Sequence, residues 1–181
     1  MLLAMTILTG VVYPLVITAA AGVFMKRQAE GSQILRDGKI IGSELIAQKF
    51  TVEKYFWPRP SGSDFGAVPS GASNMAMTNA ALKKAVDERI EAFRKANGLA
   101  PNSAVPPEMA YASGSGLDPH ISPQAARVQI SRVAKARKFT EEQKKKLEAL
   151  VEESIQEPQW GIFGTSRVNV LLLNLDLDNL K

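Results

Sequence analysis

The chain has 181 residues, 45% of them hydrophobic and 22% charged, with a formal net charge of +4. That is one ordinary domain plus a small appendage, and it excludes a disordered tail, a collagen-like fibre and a multi-span membrane protein. Cysteine is absent and His120 is the single histidine, which excludes disulfide frameworks, thiolate metal sites, cysteine catalysis and a histidine zinc cluster.

The mean hydropathy of −0.06 hides two phases. Every charged residue lies at or after Lys26, and Leu2–Met25 carries none. At 1.5 Å per residue this run spans about 36 Å, enough to cross a hydrocarbon core of roughly 30 Å with some tilt. A cleaved signal peptide is the competing reading, with Thr18-Ala19-Ala20-Ala21 as small residues near its end. No basic region precedes the run, and it exceeds an h-region of about 7–15 residues, so the sequence predicts a retained anchor over 1–25. Thr6, Gly10, Pro14, Thr18 and Gly22 recur every fourth residue. Such a stripe lets two helices approach closely in lipid, although Gly, Pro and Thr are also simply common in membrane helices. Lys26, Arg27, Arg36 and Lys39 follow the span and nothing basic precedes it, which by charge alone puts residues 26–181 in the cytoplasm.

Beyond the anchor, Asp37-Gly38 between Gln33–Arg36 and Lys39–Ile41 predicts a two-residue hairpin. Ser43 is placed to cap a short helix bearing Leu45, Ile46 and Phe50. Residues 55–77 read as a long loop packed by Tyr55, Phe56, Trp57 and Phe65. Its Tyr55–Ser61 start could present Arg59 or a cation–π site, packing being the commoner explanation. Thr78 or Asn79 starts an amphipathic helix that Gly98 stops, with Leu82, Val86, Ile90 and Phe93 inward. Ser122-Pro123 starts a second helix to about Lys138, with Val128, Ile130, Val133 and Ala134 inward. Thr140 and Gln143 form a capping box for a third, carrying Leu147, Leu150, Val151 and Ile155 and stopped by Pro158. Arg167–Leu175 reads as a buried strand. No repeat and no βαβ rhythm is present, so the fold class is an α+β soluble domain with a single N-terminal transmembrane helix.

Two segments carry candidate chemistry. Arg127–Lys146 holds eight basic residues against two acids. Anionic lipid or nucleotide on this helical face, in a stand-alone membrane-tethered binding module, is one functional reading; solvated helix faces are the plainer one. A single aromatic, Phe139, interleaves the charges, too few for a stacking platform, so nucleic acid is not expected as a partner. Ser113, Gly114, Ser115, Gly116, Leu117 and Asp118 form the second segment. Neither serine fits G-x-S-x-G, and three triad members within eight residues do not converge easily, so a hydrolase is not expected. A phosphate cradle before the helix at Pro123 is more plausible chemically, without the G-K-[ST] of a Walker loop. A plain Gly/Ser turn, with Asp118 and Ser122 holding backbone donors, explains the segment equally well.

An ordered set of motifs spans nearly the whole chain: Gly10-Val11-Val12-Tyr13-Pro14, Gly42–Ile46, Tyr55-Phe56-x-x-Arg59-Pro60-Ser61 and Ser70–Asn74. Ala112–Asp118, Ile121–Ala126, Arg132-Val133-Ala134-x-Ala136-Arg137 and Val168–Asn174 complete it. In this order and spacing the chain resembles the C subunits (KdpC) of the bacterial Kdp potassium-transporting ATPase. The resemblance implies a non-catalytic accessory subunit in the cytoplasmic membrane, with residues 26–181 outside it. It implies partnership with a potassium-channel-like A subunit, a P-type ATPase B subunit and a small F subunit. It also implies a catalytic chaperone that raises the ATP affinity of the hydrolysing subunit. ATP is then a ligand of the complex, with Ser113–Asp118 and Gln124 as the candidate nucleotide contacts and no metal site.

Overall fold

The computed structural model describes residues 1–180, which fall into two compact units, Met1–Leu45 and Ile46 onward. In the first, α1 (Leu2–Ile7), a π-helical turn (Leu8–Val12) and α2 (Tyr13–Phe24) form one uninterrupted rod. Leu2–Phe24 is long and apolar enough to cross a membrane. The π turn ends on Tyr13, whose amide donates to Leu8 O one residue before Pro14. It therefore absorbs the hydrogen bond that the proline cannot make. Thr6 and Thr9 donate their hydroxyls to Leu2 O (3.0 Å) and Met5 O (2.8 Å), so neither leaves a polar group bare towards lipid.

Met25 leaves the helical region (φ −137°, ψ 42°), and a short α3 (Lys26–Ala29) leads into β1 (Gln33–Arg36) and β2 (Lys39–Ser43). The predicted hairpin is present, with Asp37 at φ 52° and Gly38 at φ 74°, the left-handed pair a type I′ turn requires. The helix expected after Ser43 is not. Ser43 Oγ donates to Gly31 O (2.7 Å) and accepts from Leu45 N (3.1 Å), so its capping capacity is used to close a turn.

The second unit begins irregularly and then builds α4 (Ala80–Asn97), α5 (Pro107–Ala110), β3 (His120–Ile121), α6 (Pro123–Ala136), α7 (Glu141–Glu153), β4 (Ile155–Gln156), β5 (Arg167–Asn169) and α8 (Val170–Asn179). The strands form an antiparallel sheet in the order β3-β5-β4, with Val168 opposite both Ile121 and Ile155. Helix α6 packs on α4 and α7, α8 packs on α7, and α6 and α8 both meet β5. Phe56, Phe93, Ile121, Val133, Leu147, Val151, Val168 and Leu173 form the core.

The caps hold as the sequence predicts. Asn79 accepts from Ala81 N (2.8 Å), Gly98 ends α4 at φ 65°, Ser122 accepts from Ala125 N (3.1 Å), and Thr140 and Gln143 exchange both capping-box bonds. Two expectations fail at the C-terminal end. Helix α7 stops at Glu153, and Ile155 pairs in the sheet instead. The run Arg167–Leu175 is a strand only to Asn169, whose Oδ1 accepts from Leu171 N and Leu172 N (both 3.1 Å) and starts α8. A continuous apolar run reads alike for a buried strand and a buried helix, and one side-chain cap decides between them here. The α+β class with one N-terminal apolar helix stands.

The segment around Phe56 joins no sheet, and buried polar side chains supply its hydrogen bonds. Asn174 Oδ1 accepts from Phe56 N (2.8 Å) and its Nδ2 donates to Phe56 O (3.0 Å). Gln129 does the same for Trp57 N (2.7 Å) and O (3.3 Å). Arg132, 5% exposed, donates to Asn97 Oδ1 (3.0 Å), Gln129 Oε1 (2.7 Å), Tyr55 O (3.0 Å) and Glu53 O. Its guanidinium also lies 4.1 Å from the centre of the Trp57 ring. Burial lowers the Arg132 pKa to about 10, a loss partly opposed by Glu53, which leaves it cationic at neutral pH. Arg132→Met takes the donor away from Asn97 Oδ1, Tyr55 O and Glu53 O, while Gln129 Oε1 keeps Trp57 N, and is expected to cost about 3 kcal/mol of unfolding free energy. Denaturant unfolding of the full chain in detergent measures it, and Arg127→Ala, at an exposed pair, should leave the midpoint unchanged.

Candidate polar site around Asp118

Pinning Phe56 and Trp57 fixes where the following Pro58-Arg59-Pro60 emerges, because the flanking prolines restrict the backbone on both sides of Arg59. Arg59 Nη1 donates to Asp118 Oδ2 (2.8 Å). Asp118 Oδ1 accepts from His120 N (3.0 Å) and lies 3.4 Å from His120 Nδ1. Partial burial disfavours the Asp118 charge, but the bonds from His120 and Arg59 outweigh it and bring the carboxyl down to about 2. Next along the chain, Ser122 N donates to Glu108 Oε1 (3.2 Å) from α5.

Together with Ile121 and with Thr165, Ser166 and Arg167 at the start of β5, these groups line a polar pocket of about 410 Å³. A second pocket of about 250 Å³ shares Arg59 but is otherwise mostly apolar, walled by Phe50, Trp57, Pro60, Phe65, Phe93 and Met109. Arg59 Nε is buried between these surroundings without a hydrogen-bond partner among the described residues. The sequence offers Arg59 as one possibility within Tyr55–Ser61 but does not pair it with Asp118; its one local signal is the pair of prolines that fixes it.

The Ser113–Asp118 loop is bolted to the chain that precedes it. Ser113 is buried and its amide donates to Pro60 O (3.3 Å); Gly116 N donates to Ser113 O (3.2 Å) and Leu117 N to Ser115 Oγ (3.1 Å). Leu117 O accepts from Ala47 N (2.9 Å). Gly116 has φ +72°, and a Cβ there would lie 2.8 Å from Ser63 Oγ and 2.9 Å from Gly71 O, so only glycine fits without displacement. Three amides of the loop are thus spent internally, while Gly114 and Ser115 face solvent. Gln124 lies exposed on the first turn of α6, whose end is already capped by Ser122. Of the expected positions, Asp118 lines the polar pocket and Ser113–Leu117 and Gln124 do not. No hydrogen bond joins His120 to either serine of the loop among the described residues, so no triad forms.

Nor is the basic stretch a single face. Arg132 is buried in the network above, Arg137 bonds Lys54 O (2.9 Å) and Asp178 Oδ1 (2.6 Å), and Arg127 makes a two-pronged pair with Glu152 (2.6 and 2.7 Å). Arg132 and Arg137 are spent on the fold, and the cations that remain outward are Arg127, in its exposed pair, and the lysines of α6, α7 and the turn between them. In the Leu2–Phe24 rod, Thr6, Gly10, Pro14, Thr18 and Gly22 are all exposed, and a Cβ at Gly10 or Gly22 would meet nothing among the described residues. Four residues turn an α-helix about 40° past a full circle, so such a stripe drifts sideways; the wider π turn at Leu8–Val12 opposes that drift midway.

The family model described as "KdpC: K+-transporting ATPase, c chain" matches residues 1–179. A protein of Leptospira interrogans named "Potassium-transporting ATPase KdpC subunit" is 50% identical over 179 residues, which cover 99% of this chain and 90% of that one. Proteins of the same name from Cereibacter sphaeroides (46% identical, 98% and 92% covered) and Mycobacterium tuberculosis (46%, 99% and 95%) match as fully.

Two predictions follow the geometry of the loop. Asp118 titrates lower folded than unfolded, so its contribution is present above about pH 4 and is lost as pH falls towards 2. Asp118→Asn should therefore flatten the stability profile of the chain in that window, by on the order of 1–2 kcal/mol. Gly116→Ala should lower stability by about 1–3 kcal/mol, whereas Gly114→Ala, with open space around it, should not. Acid and denaturant titrations of purified chain read both.

Proposed function

The chain belongs to the KdpC family, the c chains of K+-transporting ATPases, and from that premise we propose that it works as a non-catalytic, single-span accessory subunit of such a pump. The observation that carries the reading is the family match over residues 1–179, which takes in the Leu2–Phe24 span and the folded unit alike. The partners in this reading are a channel-like A subunit, an ATP-hydrolysing B subunit and a small F subunit. The Thr6–Gly22 stripe is the surface for helix packing within the membrane.

We place residues 26–181 on the extracytoplasmic side, in keeping with the family resemblance. There the folded unit stabilises the assembly or covers the external potassium entrance. Its chaperone effect, a raised ATP affinity in the hydrolysing subunit, is then exerted through assembly and not by touching nucleotide. Direct ATP contact at Ser113–Asp118 and Gln124 belongs to the opposite orientation, in which the exposed Gly114, Ser115 and Gln124 offer donors towards solvent.

One experiment separates these arrangements. The chain has no cysteine, so a single Lys145→Cys gives an unambiguous label site on an exposed helix. In intact cells a membrane-impermeant maleimide should modify it, and Gln124→Ala should leave the ATP dependence of the assembled pump unchanged. Labelling only after lysis, together with a several-fold higher ATP requirement in Gln124→Ala, would show the cytoplasmic arrangement. Omission of the chain should abolish potassium-stimulated ATP hydrolysis; undiminished hydrolysis without it refutes the accessory role.

A further inference from the structure

The turn between β4 and β5 is internally braced, yet among the described residues nothing covers its apolar side chains. Residues 158–166 contain no charge. Gln159 and Phe163 exchange backbone bonds in both directions (both 3.0 Å), and Gly161 N and Ile162 N donate back to Pro158 O (3.0 Å) and Gln159 O (3.1 Å). Trp160 is held at φ 54°, a left-handed conformation that a bulky side chain adopts only when its surroundings impose it. Its ring meets Phe163 edge to face, 5.9 Å between centres at 72°. At the base of the turn Ser166 Oγ donates to Glu157 Oε2 (2.7 Å) and Arg167 Nε to Gln156 Oε1 (3.2 Å). The result is a braced knob whose apolar groups face outward, Trp160 88%, Ile162 77% and Phe163 60% exposed.

The charges around the knob distinguish its occupants. An element that sits in an anionic bilayer surface carries Lys and Arg beside its apolar residues. Here the bracketing charges are one acid, Glu157, and one base, Arg167, each engaged by a neighbour. A pre-ordered Trp–Phe pair on a neutral turn has the chemistry of an interface anchor: large, stiff, and cheap to immobilise. We propose that Trp160 and Phe163 insert into an apolar, uncharged socket on another subunit of the potassium-transporting ATPase, a proposal that rests on the accessory-subunit reading above. Two or three such side chains bury roughly 150–250 Å² each, less than a stable interface needs alone. The knob therefore supplements the membrane span and does not replace it.

The test uses the full chain co-expressed with the other ATPase subunits. Wild-type chain should purify with them, and Trp160→Ser/Phe163→Ser should be lost from the detergent-solubilised complex at least about 10-fold faster, as expected for hot-spot side chains. Its own unfolding midpoint should not move, since both side chains are exposed. A photo-crosslinking phenylalanine analogue at position 160 should join the chain to another ATPase subunit. Retention of the double variant equal to wild type, or crosslinks only to phospholipid or to a second copy of this chain, overturns the knob while leaving the accessory role intact. If the wild-type chain itself fails to purify with the pump subunits, the accessory role falls and the knob with it.

Discussion

The folded unit depends on hydrogen bonds that no strand supplies. Phe56 is fully buried, yet the backbone on either side of it belongs to no sheet. Amides and carbonyls taken out of water must find partners, and each one stranded costs as much as a good apolar contact gains. Asn174 and Gln129 act as substitute edges, each giving one donor and one acceptor to a single residue, while Arg132 gathers the carbonyls of Glu53 and Tyr55. These three side chains come from α6 and α8, so the segment is locked to two helices at once.

That lock is what positions the chemistry. With Trp57 held by Gln129 and stacked on Arg132, Pro58 and Pro60 leave Arg59 little freedom, and its guanidinium reaches Asp118. Asp118 in turn holds the start of β3 through His120 N, and β3 leads directly into the Ser122 cap of α6. The chain thus returns to the helix that began the network. Arg132 and the Asp118 pocket are thus joined by a continuous series of packed, hydrogen-bonded neighbours.

The parts legible in the sequence are those whose partners are near in sequence. Asp37-Gly38, Asn79 with Gly98, Ser122-Pro123 and Thr140 with Gln143 each close a local hydrogen bond within a few residues, and each is where its residue type predicts. The boundary after Asn169 was equally local but ambiguous, because leucines and valines suit a buried strand and a buried helix alike. The bonds of Phe56 and Trp57 cross 118 and 72 residues, and no periodicity announces them. The same holds for the site. Asp118 is visible as a turn residue, but its pairing with Arg59 across 59 residues and its sharing a pocket with Arg167 are products of the tertiary fold. A basic run also misleads when arginines are spent inside: Arg132 and Arg137 contribute to the charge count and very little to the surface.

On the proposed arrangement, an accessory subunit influences ATP binding from across the membrane, and the energetics permit it. A subunit that raises ATP affinity tenfold must, by reciprocity, hold the ATP-bound conformation of the pump about 1.4 kcal/mol more tightly than the unbound one. No contact with nucleotide is needed for that, only contacts that differ between two states of the partner. A single well-seated aromatic side chain is worth that much when its socket is formed in one state and deformed in the other. In the proposed arrangement, the small-residue stripe of the Leu2–Phe24 rod and the braced Trp160 turn are the surfaces that would carry such a difference. A modulator of assembly engaged through several modest surfaces can favour one conformation without freezing the pump in it.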